Sequence, residues 1–174
     1  LLRERLDPEW VQDDEVEVLH EDEALIVVNK PAGMLVHESA SVRLNTIQSW
    51  LERTGEHEAE PAHRLDRETS GVLICARLPE FIPRLRDLFA SDHPTKVYRA
   101  LVLDPDGRWH AGDRESITTP LGPVMGEVLT VRMGEGDLPS CTHVEALGEL
   151  SHPEFGRLSD LQVTIETGRQ HQIR

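Results

Sequence analysis

Apolar residues along this chain recur mostly in short runs and alternating patterns, which are typical of β-strands. The clearest runs are VEVLHED and ALIVVNK, which predict two strands joined by an acidic turn; Pro31 and Gly33 then end the second strand. The strands predicted along the whole chain occupy residues 16–22, 24–30, 71–77, 97–103, 116–119, 128–133, 141–150 and 158–168.

Two segments instead carry apolar residues at helical spacing. Leu44, Ile47, Trp50 and Leu51 predict an amphipathic helix over 44–53. A second helix is marked by Leu85, Leu88 and Phe89, with Pro83 near its first turn. Because strands dominate and neither a βαβ rhythm nor a repeat is present, the pattern predicts an α+β fold around a mixed, largely antiparallel sheet with flanking helices.

Length and composition set the scale of the molecule. The 174 residues, of which 38% are hydrophobic, suffice for one domain with a core or for two small lobes. We expect an acidic lead-in over 1–15 and a main domain over 16–174 that is truncated at its C-terminal end. No apolar run approaches the ~20 residues of a membrane span, and no signal peptide is recognisable.

The two cysteines, Cys75 and Cys141, are interpreted as reduced core thiols, with a disulfide as the alternative. Reduced thiols fit a cytoplasmic location.

The overall negative charge argues against nucleic-acid binding through the charge of the whole molecule, because phosphate contacts need cations. Lys and Arg number 18 against 32 Asp and Glu, a net charge of −14. Ten of the acidic residues fall within 1–23, however. Of the 18 basic residues, 16 are arginines, and several of these cluster near the motifs below. The chain can therefore carry a local basic cleft on an acidic body.

The stretch HRLDRETSGVLICAR places Asp66 between Arg64 and Arg67, just before a predicted buried strand. Neighbouring guanidinium groups favour the ionised carboxylate, and an ionised carboxylate in a rigid loop is a competent nucleophile or base. Thr69 and Ser70 supply hydroxyls that can hold such a loop. The alternative is an ordinary surface ion pair next to a strand.

Three further segments accompany this stretch: KPAGMLVH at 30–37, KVYRALV at 96–102 and TGRQHQIR at 167–174. Each has an ordinary interpretation when taken alone: a turn, a strand whose tyrosine is a core aromatic, and a basic junction after a strand.

In this order and spacing, the four segments resemble the RluA-type pseudouridine synthases, which carry HRLDxxTSG, a KxY element and TGRxHQIR after a KPxG segment. The resemblance extends from about Val16 to Arg174. It implies the pseudouridine synthase fold with a catalytic cleft, and isomerisation of a uridine in structured ribosomal or transfer RNA without cofactor or metal. In that reaction the N1–C1′ bond breaks, the base turns, and C5 bonds to C1′. We expect RNA as the partner and a monomer as the oligomeric state.

The resemblance also implies three catalytic residues. Asp66 corresponds to the essential aspartate, which attacks C1′ or removes the 2′ proton; the sequence leaves both routes open. Tyr98 corresponds to the tyrosine that stacks on the uracil, and its hydroxyl can assist proton removal at C5. Arg169 corresponds to the basic residue that pairs with the aspartate.

Four residues are expected on the substrate side. Arg64 holds the flipped nucleotide or fills the space that it leaves. His63 either lies beside the substrate or braces the loop. Lys30 either faces RNA phosphate or is a surface lysine at the end of a turn, and Arg174 is either structural or phosphate-facing.

Two other functions compete with this interpretation. A non-catalytic RNA-binding or RNA-chaperone relative would keep the cleft and lose Asp66 or Tyr98, which are both present. A metal-dependent hydrolase would use His57, Glu58, Glu60 and His63, but that stretch lacks a ligand spacing such as HExxH.

Overall fold

The chain divides into two compact units, residues 1–91 and residues 92–174. The structure is a computed structural model that describes residues 11–91, 94–125 and 131–174. Each unit contains its own four-stranded antiparallel sheet, and the second adds a two-stranded hairpin.

Over residues 11–91, the first unit has six regular elements and a short 3-10 helix at Asp13–Glu15. The elements are β1 (Glu17–Glu21), β2 (Leu25–Lys30), α1 (Ile47–Arg53), β3 (Glu60–Pro61), β4 (Gly71–Ala76) and α2 (Phe81–Ala90). The strand order is β1-β2-β4-β3. Alternate residues of β2 are buried, as expected for a strand with one face on a core.

The register of the two central strands decides which loops meet. Lys30, the last residue of β2, pairs with Gly71, the first residue of β4. The turn that follows β2 and the loop that precedes β4 therefore lie at the same end of the sheet. These two segments are KPAG and HRLDRETS.

Both predicted helices are present, with corrections to their limits and buried faces. Thr46 is the N-cap of α1 and accepts a hydrogen bond from Ser49 N at 3.0 Å, so the helix starts at Ile47 and not at Leu44. In α2 the buried residue is Ile82, whereas Leu88 of the predicted apolar face is exposed.

In residues 94–125 and 131–174, the regular elements of the second unit are all strands. They are β5 (Lys96–Leu103), β6 (Arg114–Ile117), β7 (Leu121–Met125), β8 (Val131–Glu135), β9 (Thr142–His152) and β10 (Gly156–Ile165). The sheet order is β5-β10-β9-β6, and β7 pairs with β8. Trp109 and the inward residues of β9 and β10 form the core: Val144, Ala146, Leu161, Val163 and Ile165.

The predicted α+β class with antiparallel pairing is confirmed. Pattern analysis missed the two-residue β3 and the strand β7, which lies in a segment rich in Gly and Pro. Part of the strand predicted over 128–133 lies outside the described residues. None of the helices in the described ranges is long and apolar enough to cross a bilayer.

The two cysteines differ in their surroundings. Cys75 is fully buried, and burial raises the pKa of its thiol to about 12. Cys141 is only half-buried, so its assignment to the core is wrong.

Candidate active site

Asp66 lies in the loop between β3 and β4, one residue after an apolar anchor. Leu65 is buried, while Asp66 is half-buried. Thr69 N donates to the Asp66 carbonyl oxygen at 3.1 Å, which closes a turn. The carboxylate therefore sits on a short, hydrogen-bonded segment fixed to the core.

Lys30 is the main internal support of this loop. Its side chain is completely buried, and its Nζ donates to the carbonyl oxygens of Pro31 (2.9 Å), Met34 (2.7 Å) and Arg67 (3.1 Å). An ammonium group has three N–H donors, and all three are used here. Both sequence interpretations of Lys30, phosphate contact and surface lysine, are therefore wrong.

The charge state of Lys30 is linked to Asp66. Burial lowers the pKa of Lys30 to about 8, and the carboxylates of Glu68 and Asp66 partly oppose that shift. The lysine thus places a cation behind the loop, on its protein side.

Arg67, one of the two cations that flank Asp66 in sequence, also braces the loop. Its Nε donates to the Gly33 carbonyl at 3.0 Å and lies 3.5 Å from Glu68 Oε1. Its own carbonyl accepts from Gly33 N at 2.9 Å. Gly33 adopts a φ of +88°, which glycine reaches without steric cost.

The KPAG turn is also held by Gln12, a residue of the expected lead-in. Gln12 is buried, and its Nε2 donates to the Ala32 carbonyl at 2.9 Å. Asn45 Nδ2 donates to Gln12 Oε1 at 3.0 Å. Position 12 is therefore part of the first unit.

His63 and Arg64 begin the loop in different environments. His63 Nε2 accepts from Ile74 N at 3.1 Å, and its ring stacks on Phe89 with centroids 4.2 Å apart. These contacts brace the loop against β4 and α2. Arg64 is exposed. The pKa of His37 is lowered first by partial desolvation and then by the positive charges of Arg64 and Arg86, so His37 is a neutral side chain close to two guanidinium groups.

Tyr98 lies in β5, opposite Val163 of β10. It is half-buried and packs against the core of the second unit with Ala100 and Val102. The ring is thus held on one side by the sheet.

The TGRQHQIR segment is organised by Gln172, a residue that sequence reasoning did not single out. Its Oε1 accepts from Thr167 Oγ1 (2.8 Å) and Arg169 N (2.9 Å). Its Nε2 donates to the carbonyl of Cys141 (3.0 Å) and to Thr142 Oγ1 (2.9 Å). The one sequence feature that pointed to Gln172 was its place in the TGRQHQIR motif, where the charged Arg169 and Arg174 attract more attention.

Arg169 and Arg174 both lie in this segment. Arg169 is half-buried, and its Nε donates to the Pro139 carbonyl at 3.0 Å. Arg174 is exposed, and its backbone N donates to the His171 carbonyl at 2.9 Å.

Two of the four residues considered for the hydrolase alternative have other partners. Glu60 pairs with Arg86 at 2.6 Å, and His63 Nε2 accepts from Ile74 N. In the part of the chain that the structure describes, the one group of three or more His, Cys, Asp or Glu side chains close enough to share a metal ion is Cys141, His143 and Glu166.

Within the first unit, the structure brings Asp66 together with Lys30 and the KPAG turn. Within the second unit, the TGRQHQIR segment follows directly on β10, which pairs with the strand of Tyr98. The pairing of Asp66 with Arg169, and the catalytic cleft, join residues of different units and stay predictions.

The chain matches the family model described as RNA pseudouridylate synthase over residues 24–174. It is 31% identical over 170 residues to the tRNA pseudouridine synthase C of Yersinia pestis, covering 91% of this chain and 64% of the relative. It is also 31% identical over 159 residues to the ribosomal large subunit pseudouridine synthase C of Vibrio cholerae, covering 90% of this chain and 47% of the relative.

Among solved structures, human RNA pseudouridylate synthase domain containing 1 has a similar fold. The TM-score is 0.68 at 22% identity, covering 97% of this chain and 66% of that chain. The fold is therefore that of the pseudouridine synthase domains. The chain belongs to the RNA pseudouridylate synthase family, in its RluA-type branch. It spans less than two thirds of the length of each of the two bacterial relatives above.

Proposed function

We propose that this protein isomerises a specific uridine in structured RNA to pseudouridine. The observation that carries the proposal is the hydrogen-bonded loop of Asp66 in a chain of this family. The carbonyl oxygen of the next residue, Arg67, accepts hydrogen bonds from both Lys30 Nζ and Gly33 N. Such a loop presents a carboxylate in one fixed geometry, which lowers the cost of reaching a reactive arrangement.

Asp66 acts at the ribose of the target uridine. The carboxylate either attacks C1′ as the N1–C1′ bond breaks or removes the 2′ proton on a glycal route. In both cases the uracil leaves C1′ through N1 and bonds to C1′ again through C5. As the C5–C1′ bond forms, the bond between Asp66 and C1′ breaks or the 2′ proton is returned; the C5 proton is then lost and N1 gains a proton. The product is an isomer, so no co-reactant is consumed.

The second unit contributes the other two catalytic groups. The half-buried ring of Tyr98 stacks on the uracil, and its hydroxyl assists removal of the C5 proton. The guanidinium of Arg169 pairs with Asp66 and keeps it ionised. The fixed turn around Gln172 supports this role, since it sets where the Arg169 side chain begins.

The RNA partner is contacted by cations of the first unit. Arg64 is exposed beside His37 and Arg86 and holds the nucleotide that leaves the stack. His63 supports the same loop, and Arg174 adds a phosphate contact from the second unit. The substrate is a transfer or ribosomal RNA, as the names of the two bacterial relatives suggest, and the protein acts as a monomer in the cytoplasm.

The test is to express the full-length protein in cells that lack it and to map pseudouridines by carbodiimide-dependent reverse-transcription stops. The wild type is expected to restore one or a few stops, and Asp66→Asn none. Asp106→Asn, at an exposed position of the second unit, is the matched control and should behave as wild type.

The same variant separates an enzyme from an RNA-binding relative. Asp66→Asn should keep its thermal unfolding temperature and its RNA affinity, because amide and carboxylate are nearly isosteric. Product near the wild-type level would refute the role of Asp66. RNA binding without any product from the wild type would support the chaperone alternative.

A further inference from the structure

Three metal-ligating side chains meet at one end of the sheet in the second unit. Cys141 directly precedes β9, His143 is the second residue of β9, and Glu166 directly follows β10. Residues two apart on an extended strand point to the same face, so Cys141 and His143 project together. Glu166 N donates to the Cys141 carbonyl at 3.1 Å, which brings the third side chain alongside them.

The distances fit a tetrahedral ion. Cys141 Sγ lies 3.5 Å from His143 Nε2, and His143 Nε2 lies 2.6 Å from Glu166 Oε1. Zn–S and Zn–N bonds of usual length place the two ligand atoms about 3.5 Å apart. The nitrogen and oxygen must separate to about 3.3 Å. Glu166 is exposed, so a rotation of its side chain can supply that movement.

A fourth residue orients the imidazole. Ser116 Oγ lies 2.8 Å from His143 Nδ1. In the ion-free protein the 2.6 Å contact with Glu166 requires a proton on Nε2. When an ion binds, that proton is displaced, Nδ1–H donates to the Ser116 hydroxyl, and the Nε2 lone pair faces the ion. An outer hydrogen bond of this kind is the usual support of a metal-binding histidine.

The backbone around the cysteine is also fixed. Cys141 N donates to Thr167 Oγ1 at 3.2 Å, and its carbonyl accepts from Gln172 Nε2 at 3.0 Å. The cysteine ligand is therefore held by the same hydrogen bonds that organise the TGRQHQIR segment.

The ligands can balance the charge of a divalent ion. Glu166 accepts the 2.6 Å hydrogen bond from His143, which lowers the pKa of its carboxyl. Desolvation and the Glu166 charge raise the pKa of the Cys141 thiol. A divalent ion would displace the thiol proton to solvent, and the resulting thiolate and carboxylate would balance its two positive charges.

We propose that Cys141 Sγ, His143 Nε2 and Glu166 Oε1 bind one Zn²⁺ ion, with water as the fourth ligand. A thiolate and an imidazole select zinc over magnesium or calcium. The ion joins the start of β9 to the segment that contains Arg169. The site is independent of the RNA chemistry, since none of its three ligands has a role in that reaction.

The experiment is a titration of the full chain with Co²⁺, a spectroscopic substitute for Zn²⁺, in a non-chelating buffer with a phosphine reductant and without an affinity tag. We expect saturation at one equivalent with a thiolate-to-cobalt charge-transfer band in the near ultraviolet, and loss of that band on adding Zn²⁺. Cys141→Ser should lose the band, and His143→Gln and Glu166→Gln should each weaken binding at least about tenfold.

Two control variants replace a cysteine and a histidine that lie outside the cluster. Cys75→Ala removes the other thiol, and His20→Gln removes an exposed histidine that pairs with Asp22; both should bind Co²⁺ as the wild type does. The absence of a charge-transfer band from the wild-type protein at one equivalent would overturn the proposal. So would a band of full intensity in folded Cys141→Ser.

Discussion

Lys30 Nζ donates a hydrogen bond to the carbonyl oxygen of Arg67 across 37 positions of sequence, at a distance of 3.1 Å. Arg67 directly follows Asp66, so a buried cation fixes the backbone next to the proposed catalytic carboxylate. The same ammonium group donates to two carbonyls of the turn after β2, so Lys30 links the KPAG turn to the loop of Asp66.

Replacing this lysine should destabilise the first unit. Lys30→Met removes the ammonium donor from three carbonyl oxygens, of which that of Arg67 keeps its bond from Gly33 N, and the expected loss in free energy of unfolding is about 1 to 3 kcal/mol. Urea denaturation measures it. The chain has one other lysine, Lys96, which is half-buried in β5. Lys96→Met is the matched control and should lower the free energy of unfolding by less. An equal loss in both variants would contradict the linking role of Lys30.

Removing the side chain of Gln172 should disturb the Arg169 segment. Gln172→Ala deletes four hydrogen bonds, for an expected loss of about 1 to 3 kcal/mol in stability. If Arg169 acts on Asp66 as proposed, product formation should fall by about 10- to 100-fold through misplacement of the guanidinium. Pseudouridine mapping and chemical denaturation are the two measurements. Gln170→Ala, at an exposed neighbour, should change neither.

Asp104 should make the second unit sensitive to acid. Its carboxylate is buried and accepts from Ser159 Oγ (2.7 Å), Arg108 N (2.7 Å) and Trp109 N (3.1 Å). These bonds, that of Ser159 first, hold its pKa at about 2 instead of 3.8. The unfolded chain therefore binds more protons than the folded one between these values, so stability falls as pH falls through this window.

The pH dependence distinguishes Asp104 from an ordinary surface aspartate. Asp104→Asn should be less stable than wild type at pH 6, and the gap should narrow as the pH is lowered toward 3. Urea unfolding at a series of pH values measures it. Asp106→Asn, at an exposed position two residues away, should track the wild type throughout. A gap that stays constant with pH would show that the carboxylate charge is not the cause.

The exposed guanidinium of Arg64 should contribute to the salt dependence of RNA binding. Arg64→Gln should weaken RNA affinity and reduce the slope of log affinity against log salt by about 1, as expected for one lost phosphate contact. Filter binding or fluorescence anisotropy at several salt concentrations measures both. Arg108→Gln removes a cation that already pairs with Glu115 at 2.7 Å and is the control. Affinity that does not respond to salt would argue against phosphate contacts altogether.

Much of the fold could be predicted because strands and helices leave local periodic patterns. The runs at 24–30 and 71–77 correspond to β2 and β4, and the long strands β9 and β10 were also predicted. The limits of α1 were less accurate, because its start depends on the capping hydrogen bond of Thr46 and not on apolar spacing.

The site could be predicted in its residue types and motif order, and less well in the roles of individual side chains. Lys30 follows a strand and precedes a proline, which resembles any surface turn, yet it is buried because three carbonyls converge on it. The sequence left His63 either beside the substrate or bracing the loop; in the structure its ring nitrogen accepts a hydrogen bond from a backbone N–H of β4. Gln172 carried no signal beyond its place in a motif.

The sequence by itself determined the class of the fold, the order of the four motifs and the family to which they belong. These depend on residue identity and on spacing within a segment, where the physics is local. Tertiary structure alone decided which polar groups are buried, which carbonyls they bind, and that Cys141, His143 and Glu166 share one end of a sheet. Those outcomes depend on contacts between segments that are distant along the chain, and hydrogen-bond partners at such separations leave no periodic trace in the sequence.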